Sequence, residues 1–283
     1  MAGLVWNERP QLRRPVLIAA FEGWNDAGSA ASQAADWLTS RFGATKVAAI
    51  DPQDHFDFQS VRPTVELADG VTRDLRWPAN EFFAVPMEGR DLVVLRGIEP
   101  NLRWSRFCGD VLDVAAETGS EMVVTLGALL ADVPHTRPVR VTGATTDPDV
   151  MARLGLHHSR YEGPTGIVGV LHDTARTADV ASASLWAPVP HYVSTPPNPL
   201  ATRALLDRLG QLVDVRFELD ELDEEARTWR GRVDEVVSED SDVGTYVAQL
   251  EERYDAEAET DVPSAETLAA EVEQFLRDRP DDD

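Results

Sequence analysis

Four short runs rich in apolar residues, at 16–20, 46–50, 92–95 and 122–126, alternate with stretches of helical spacing, and this alternation restricts the chain to folds that bury strands on both faces. A strand covered on one face alternates apolar and polar residues, whereas one covered on both is apolar throughout. Between the first two runs, Ala27, Ala30, Ala31, Ala34, Leu38 and Phe42 recur at helical spacing within 26–42, and a second helix is predicted at 102–118 between the next two. Two β-α-β units follow. The stretch from 58 to 85 differs: segments 64–67 and 71–77 flank Ala68-Asp69-Gly70 as a hairpin does, and 82–85 adds a strand, so an antiparallel insert is predicted. Further strands are expected at 139–142, 156–161 and 181–187, with helices at 165–177 and 200–209. Together these give an α/β fold, a three-layer α/β/α body on a mostly parallel sheet.

Composition narrows the function classes. Cys108 is the single cysteine, which excludes an intramolecular disulfide, and the early apolar run at 16–21 is too short for a signal-peptide core or a membrane span, so a cytoplasmic protein is expected. A net charge of -24 opposes nucleic acid and anionic membranes as partners, because both attract cations. The acidity is concentrated: residues 211–283 hold 25 acidic against 7 basic side chains, whereas 1–210 hold 25 against 19. This break divides the expected organisation into an α/β body at 1–212 and an acidic helical region at 213–283 with a disordered end. In the latter, Leu219, Leu222, Ala226, Trp229, Val233, Val236 and Val237 form one stripe, and helices are predicted at 243–254 and 265–276. Such stripes dock on the body or serve as a partner-binding arm.

Four loops carry the candidate chemistry. In the first, Phe21-Glu22-Gly23-Trp24-Asn25-Asp26-Ala27-Gly28, a strand enters a glycine turn and a helix start, a setting that can cradle phosphate. Glu22 and Asp26 oppose that use. A carboxylate about 4 Å from a phosphate charge costs roughly 4 kcal/mol at an effective dielectric of 20, more than the roughly 1 kcal/mol gained from a helix dipole. Lys46, the only lysine, lies on a predicted strand, so no phosphate-loop lysine exists. Asn25 or Asp26 therefore reads as a helix N-cap.

The second loop, 126–138, gathers Asp132, His135 and Arg137 beside Gly127, a group suited to acid–base work or to local structure, with Asp132 bonding nearby backbone and Arg137 answering it. The third, 161–171, carries Gly163, Thr165 as a cap, Gly166 and Gly169, small residues that allow close packing or close approach to a ligand. The fourth, 187–199, brings His191 as a candidate companion for His135 and ends with Asn198 and Pro199 placed as N-cap and first helical residue. All four are expected at carboxyl strand ends, lining one crevice. Its candidate lining is Glu22, Trp24, Asn25, Asp26, Gly127, Asp132, His135, Arg137, Thr165, Gly166 and His191. There is no Ser-His-Asp order, no G-x-S-x-G elbow and no Cys or His pair at metal spacing, since the paired His157 and His158 alternate faces of a strand. Cys108 reads as a packing residue. No metal, cofactor or catalytic set is expected.

Taken in order, Phe21-Glu22-Gly23-Trp24-Asn25-Asp26-Ala27-Gly28, Leu126-Gly127-Ala128 with Asp132-Val133-Pro134-His135-Thr136-Arg137-Pro138, Gly163-Pro164-Thr165-Gly166, and Pro190-His191-Tyr192-Val193 with Pro197-Asn198-Pro199 resemble the proteasome assembly chaperone 2 family, in its bacterial, actinobacterial-looking branch. The resemblance covers about residues 15 to 210. It implies an α/β/α fold similar to nucleoside phosphorylases and hydrolases and members that assemble into oligomers, here expected as a closed trimeric ring; it does not imply a catalytic triad. For eukaryotic and archaeal relatives it implies binding to proteasome core subunits, partly through a C-terminal hydrophobic residue, Tyr, then any residue. This chain ends Arg279-Pro280-Asp281-Asp282-Asp283, so a core-subunit contact needs another surface, and the acidic helices are the candidate. The expected function is a non-catalytic oligomeric assembly or interaction protein. The alternative is a small-molecule enzyme or sensor using the crevice loops, led by Asp26, Asp132, His135, Arg137 and His191.

Overall fold

A computed structural model describes residues 3–68, 70, 72–156, 162–193 and 195–260. In chain order the elements are β1 (Leu4–Trp6), β2 (Val16–Glu22), α1 (Ala30–Arg41), β3 (Thr45–Ile50), β4 (Thr64–Ala68), β5 (Thr72–Arg76), β6 (Asn80–Val85), β7 (Leu92–Ile98), α2 (Trp104–Thr118), β8 (Val123–Ala131), β9 (Thr142–Thr145), α3 (Pro148–Leu154), α4 (Ile167–Thr177), β10 (Ser182–Pro190), α5 (Pro199–Val213), α6 (Asp220–Glu239) and α7 (Ser241–Thr260).

The main sheet has eight strands in the order β1-β3-β6-β7-β2-β8-β10-β9. Its centre, β7-β2-β8-β10, is parallel throughout. Antiparallel partners stand on both sides, β6 beside β7 and β9 beside β10. Both expected β-α-β units are present as crossovers that skip strands: β3 lies beyond β6 and β7 from β2, and β2 itself separates β7 from β8. The expected hairpin is β4-β5, a separate two-stranded sheet, while β6 joins the main sheet.

Alternation along β2 explains the layers. Val16, Ile18 and Ala20 face one core with Ala31, Leu38, Leu205 and Leu209 of α1 and α5. Leu17, Ala19 and Phe21 face the other with Phe107, Val111, Ile167 and Leu171 of α2 and α4. Successive strand residues point to opposite faces, so a strand sandwiched between helix layers must be apolar at every position, as this one is. Cys108 is fully buried on the second face, where burial pushes its thiol up to about 11, in keeping with a packing role.

One expected strand is corrected, one helix is added, and one predicted strand falls almost wholly outside the described residues. The edge strand predicted at 139–142 starts at Thr142, because Val139 and Val141 pack against the core as side chains of the preceding loop. A helix stands at α3 that spacing did not signal, opened by Pro148 after Asp147, whose carboxylate accepts from the Asp149 and Val150 amides at 2.9 and 3.1 Å. In the strand predicted at 156–161, Leu156 instead follows α3 as a core residue, and 157–161, with His157 and His158, lie outside the described residues.

The core does not stop at the composition break. Leu212, Val213, Val215, Phe217, Leu219 and Leu222 belong to the same cluster as β2, and Phe217 meets Trp37 of α1 edge-on at 5.7 Å. From the predicted stripe, Leu222, Ala226 and Val233 are buried as α6 lies on α5, whereas Val236 is 67% exposed. α7 folds back against α6. The helix predicted at 265–276 lies outside the described residues. Among those described, no helix is long and apolar enough to cross a membrane, and no group of three or more His, Cys, Asp and Glu is arranged to hold a metal.

Candidate functional site at the carboxyl end of the sheet

Because β2, β8 and β10 are parallel, the first, second and fourth loops leave from one end of the sheet. Two glycines let the others meet loop one. Gly28, at φ +60, accepts at its carbonyl from the Asn198 amide at 2.8 Å, and a Cβ there would stand 2.8 Å from Asn198 Cβ. At Gly166 a Cβ would fall 2.1 Å from Asn25 Nδ2, so only glycine lets loop three close on loop one. Gly127, by contrast, lies beneath Trp186, whose ring would stand 2.7 Å from a Cβ at that position.

The cap position of α1 is Ser29 rather than Asn25 or Asp26, but Asp26, three residues before it, supplies the acceptor. Its Oδ1 accepts from the Ala31 and Ser32 amides at 2.8 and 3.2 Å, and Oδ2 accepts from the Ser32 hydroxyl at 2.5 Å. Asn198 caps α5 as predicted, accepting from the Ala201 amide at 3.0 Å. Thr165 is exposed and does not cap α4; the cap position is Gly166, and the acceptor is Glu99, after β7. Glu99 Oε1 accepts from the Ile167 amide and from Asn25 Nδ2, both at 2.9 Å, and Oε2 accepts from the Trp24 amide at 3.4 Å. A carboxylate of the chain itself thus occupies the helix N-terminus at which an anion would otherwise bind. Burial holds the Asp26 carboxyl above its ordinary 3.8, against the Ser32 and Ala31 hydrogen bonds and with a contribution from Asp36. Partial burial likewise raises Glu22, with Asp36 and Asp26 adding to it and Arg96 opposing.

The Asp26 shift carries a sign. A carboxyl whose folded value lies above the unfolded one contributes stability that is complete below the unfolded value and is lost as pH rises through the folded one. Asp26→Asn, which keeps an amide acceptor without the charge, is therefore expected to match or exceed the wild type in urea unfolding at pH 7, with the difference vanishing below about pH 3. A variant weaker by more than about 1 kcal/mol at pH 7 would mean that the charge itself holds the cap.

The second and fourth loops meet α6 and α7. His135 is 2% exposed; Tyr192 Oη lies 2.8 Å from its amide and 2.7 Å from its Nδ1, and Asp234 Oδ1 of α6 lies 3.0 Å from Nε2. The phenol accepts from the amide and donates to Nδ1, which leaves Nε2–H to donate to the carboxylate. Burial pushes the Tyr192 phenol up to about 12, so it stays protonated at neutral pH and is a poor base. Arg137 does not answer Asp132. It forks onto Asp255 of α7 at 2.9 and 2.7 Å and reaches Glu251 at 3.1 Å, and the hydrogen bonds to Asp255 raise the guanidinium further. Asp132 instead pairs with His191 Nδ1 at 3.2 Å and accepts from the Tyr246 hydroxyl at 3.3 Å, while its carbonyl takes Arg253 of α7. His191 and His135 share no hydrogen bond; each stands edge-on to Tyr192, at 5.9 and 5.7 Å. A cavity of about 230 Å³ lies beside His135, bounded by Arg140, Pro190 and Tyr254 among others.

The candidate residues therefore form two groups. Glu22, Trp24, Asn25, Asp26, Thr165 and Gly166 gather around loop one, and Asp132, His135, Arg137 and His191 gather under α6 and α7. Sequence reasoning missed Glu99, Tyr192, Asp234 and the α7 acids Glu251 and Asp255. The last two did leave a signal, since a spacing of four places both on one helix face.

A layered α/β/α protein whose carboxyl-end loops bond to one another and to an acidic helical hairpin is the class defined by these features. A family model described as the PAC2 family matches residues 20–237, and the chain belongs to that family. A PAC2 family protein from Streptomyces avermitilis is 52% identical at a TM-score of 0.77, covering 82% of this chain and 99% of its own. The proteasome-assembly chaperone homologue of Mycobacterium tuberculosis is 44% identical at 0.76, with the same coverages. An archaeal proteasome activator from Pyrococcus furiosus shares the fold at 20% identity and a TM-score of 0.65, covering 82% of this chain and 97% of its own. No curated protein matches the chain.

Proposed function

We propose that this chain is a cytoplasmic, non-catalytic, homo-oligomeric assembly or interaction protein whose partners are proteasome core subunits. The observation that carries the reading is the 44% identity to a proteasome-assembly chaperone homologue, 99% of which is covered. Surface chemistry supports it. Exposed apolar side chains stand at the carboxyl ends of β2, β7 and β8: Trp24, 66% exposed, with Leu102, Leu129 and Leu130. Tryptophan is enriched at protein interfaces, and exposed apolar groups at one end of a sheet suit docking. On α6, Arg232, Glu235, Val236 and Glu239 form an exposed stripe at helical spacing, an acidic face suited to a basic partner.

Trp24→Ala removes a mostly exposed side chain and is expected to shift the melting temperature by no more than about 1 °C. Affinity for core subunits, read by biolayer interferometry, is expected to fall roughly tenfold or more if the ring anchors the interface. Unchanged affinity in both Trp24→Ala and the double charge reversal Glu235→Lys with Glu239→Lys would contradict this surface assignment.

A further inference from the structure

The faces of α5 and α6 that oppose each other carry arginines out of keeping with the acidity around them. Arg203, Asp207 and Arg208 recur at spacings of four and one on α5, and Asp223, Arg227 and Arg230 at four and three on α6, so each set lies along one side of its helix. They wall a cleft of about 620 Å³, floored by Val139, Val141 and Leu200. Its volume falls within the range of small-ligand sites.

The charges in this cleft do not cancel. Both aspartates are taken by Arg203, at 3.6 Å from Asp207 and 2.8 Å from Asp223, and Arg227 pairs with Glu224. Among the described residues Arg208 bonds only neutral oxygens, the Leu154 carbonyl and Gln211 Oε1, and its buried Nε has no acceptor. Arg230 has no hydrogen-bond or ion-pair partner among the described residues, and its Nε is also buried without an acceptor. Among the described residues two guanidinium groups are thus left uncompensated, in a chain with 50 acidic and 26 basic side chains. Buried donors are normally satisfied, and a planar guanidinium fork matches the oxygens of phosphate and carboxylate.

We propose that the α5–α6 cleft binds a small organic oxyanion, a phosphate- or carboxylate-bearing molecule whose charged end is held by Arg230 and Arg208 and whose apolar body lies on Val139, Val141 and Leu200. This site is independent of the core-subunit reading, and neither requires the other.

The test is isothermal titration calorimetry on the full chain with inorganic pyrophosphate and, separately, citrate, at constant ionic strength. One saturable site per chain is expected, with a Kd of about 1 mM or tighter for at least one probe; the probe that binds tells a phosphate ligand from a carboxylate one. Because Arg230 bonds to none of the described residues, Arg230→Ala orphans no partner among them and is expected to fold with an unchanged melting temperature. It is expected to bind at least about tenfold more weakly, with Arg230→Lys between the two and the exposed Arg62→Ala unchanged. No saturable binding of either probe up to about 10 mM, or wild-type affinity in Arg230→Ala, would overturn the assignment.

Discussion

Glu99→Ala is expected to lower unfolding stability by about 3 kcal/mol, because one carboxylate serves three donors on two loops. Asn25, 2% exposed, and the Ile167 amide, at a fully buried residue, would lose their partner inside the protein. The first turn of α4 would also lose the negative charge that complements its exposed amides. For a chain of this size the melting temperature should drop by roughly 6–10 °C. Glu99→Gln keeps one accepting oxygen and should lose roughly half as much. Equal stability of the alanine variant and the wild type would show that loops one and three are held by packing alone.

The second large effect is expected at His135. Its ring is buried, and it joins the fourth loop to α6 through Tyr192 and Asp234. His135→Ala removes ring packing next to an existing cavity and leaves the phenol without its acceptor, which should cost roughly 3–4 kcal/mol. Amide hydrogen exchange should then rise in α6 around Asp234 before it rises in β2, since the hairpin of helices loses a tether and the central sheet does not. Tyr192→Phe should lose less, about 1–2 kcal/mol, because the ring and its packing remain. A His135→Ala protein within about 1 kcal/mol of wild type would mean that the salt links of Arg137 and Arg253 suffice to seat α7.

These two residues show where sequence reading succeeds and where it stops. β2 was legible because a strand covered on both faces announces itself as Val16-Leu17-Ile18-Ala19-Ala20, and the start of α5 because Asn198 and Pro199 act within their own first turn. Asp26 was partly legible because its partners lie only five and six residues on, although the cap position itself falls at Ser29. Glu99 meets Asn25 across 74 positions and His135 meets Asp234 across 99, and spacing carries no information about such pairs. The late start of β9 has a similar cause: Val139 and Val141 satisfy a strand pattern but are drawn to the core beneath α5, and pairing with β10 begins only at Thr142. Arg137 was assigned to the nearest carboxylate in sequence, Asp132, whereas folding brought it two on α7.

On the function proposed above, this PAC2 protein engages proteasome core subunits through its surface rather than through chemistry in its loops. Native mass spectrometry of the full chain, alone and then mixed with core subunits from the same source, tests it most directly. A homo-oligomer is expected in the first spectrum and a discrete complex with core subunits in the second. A chain that ignores those subunits at concentrations of about 10 µM would contradict it.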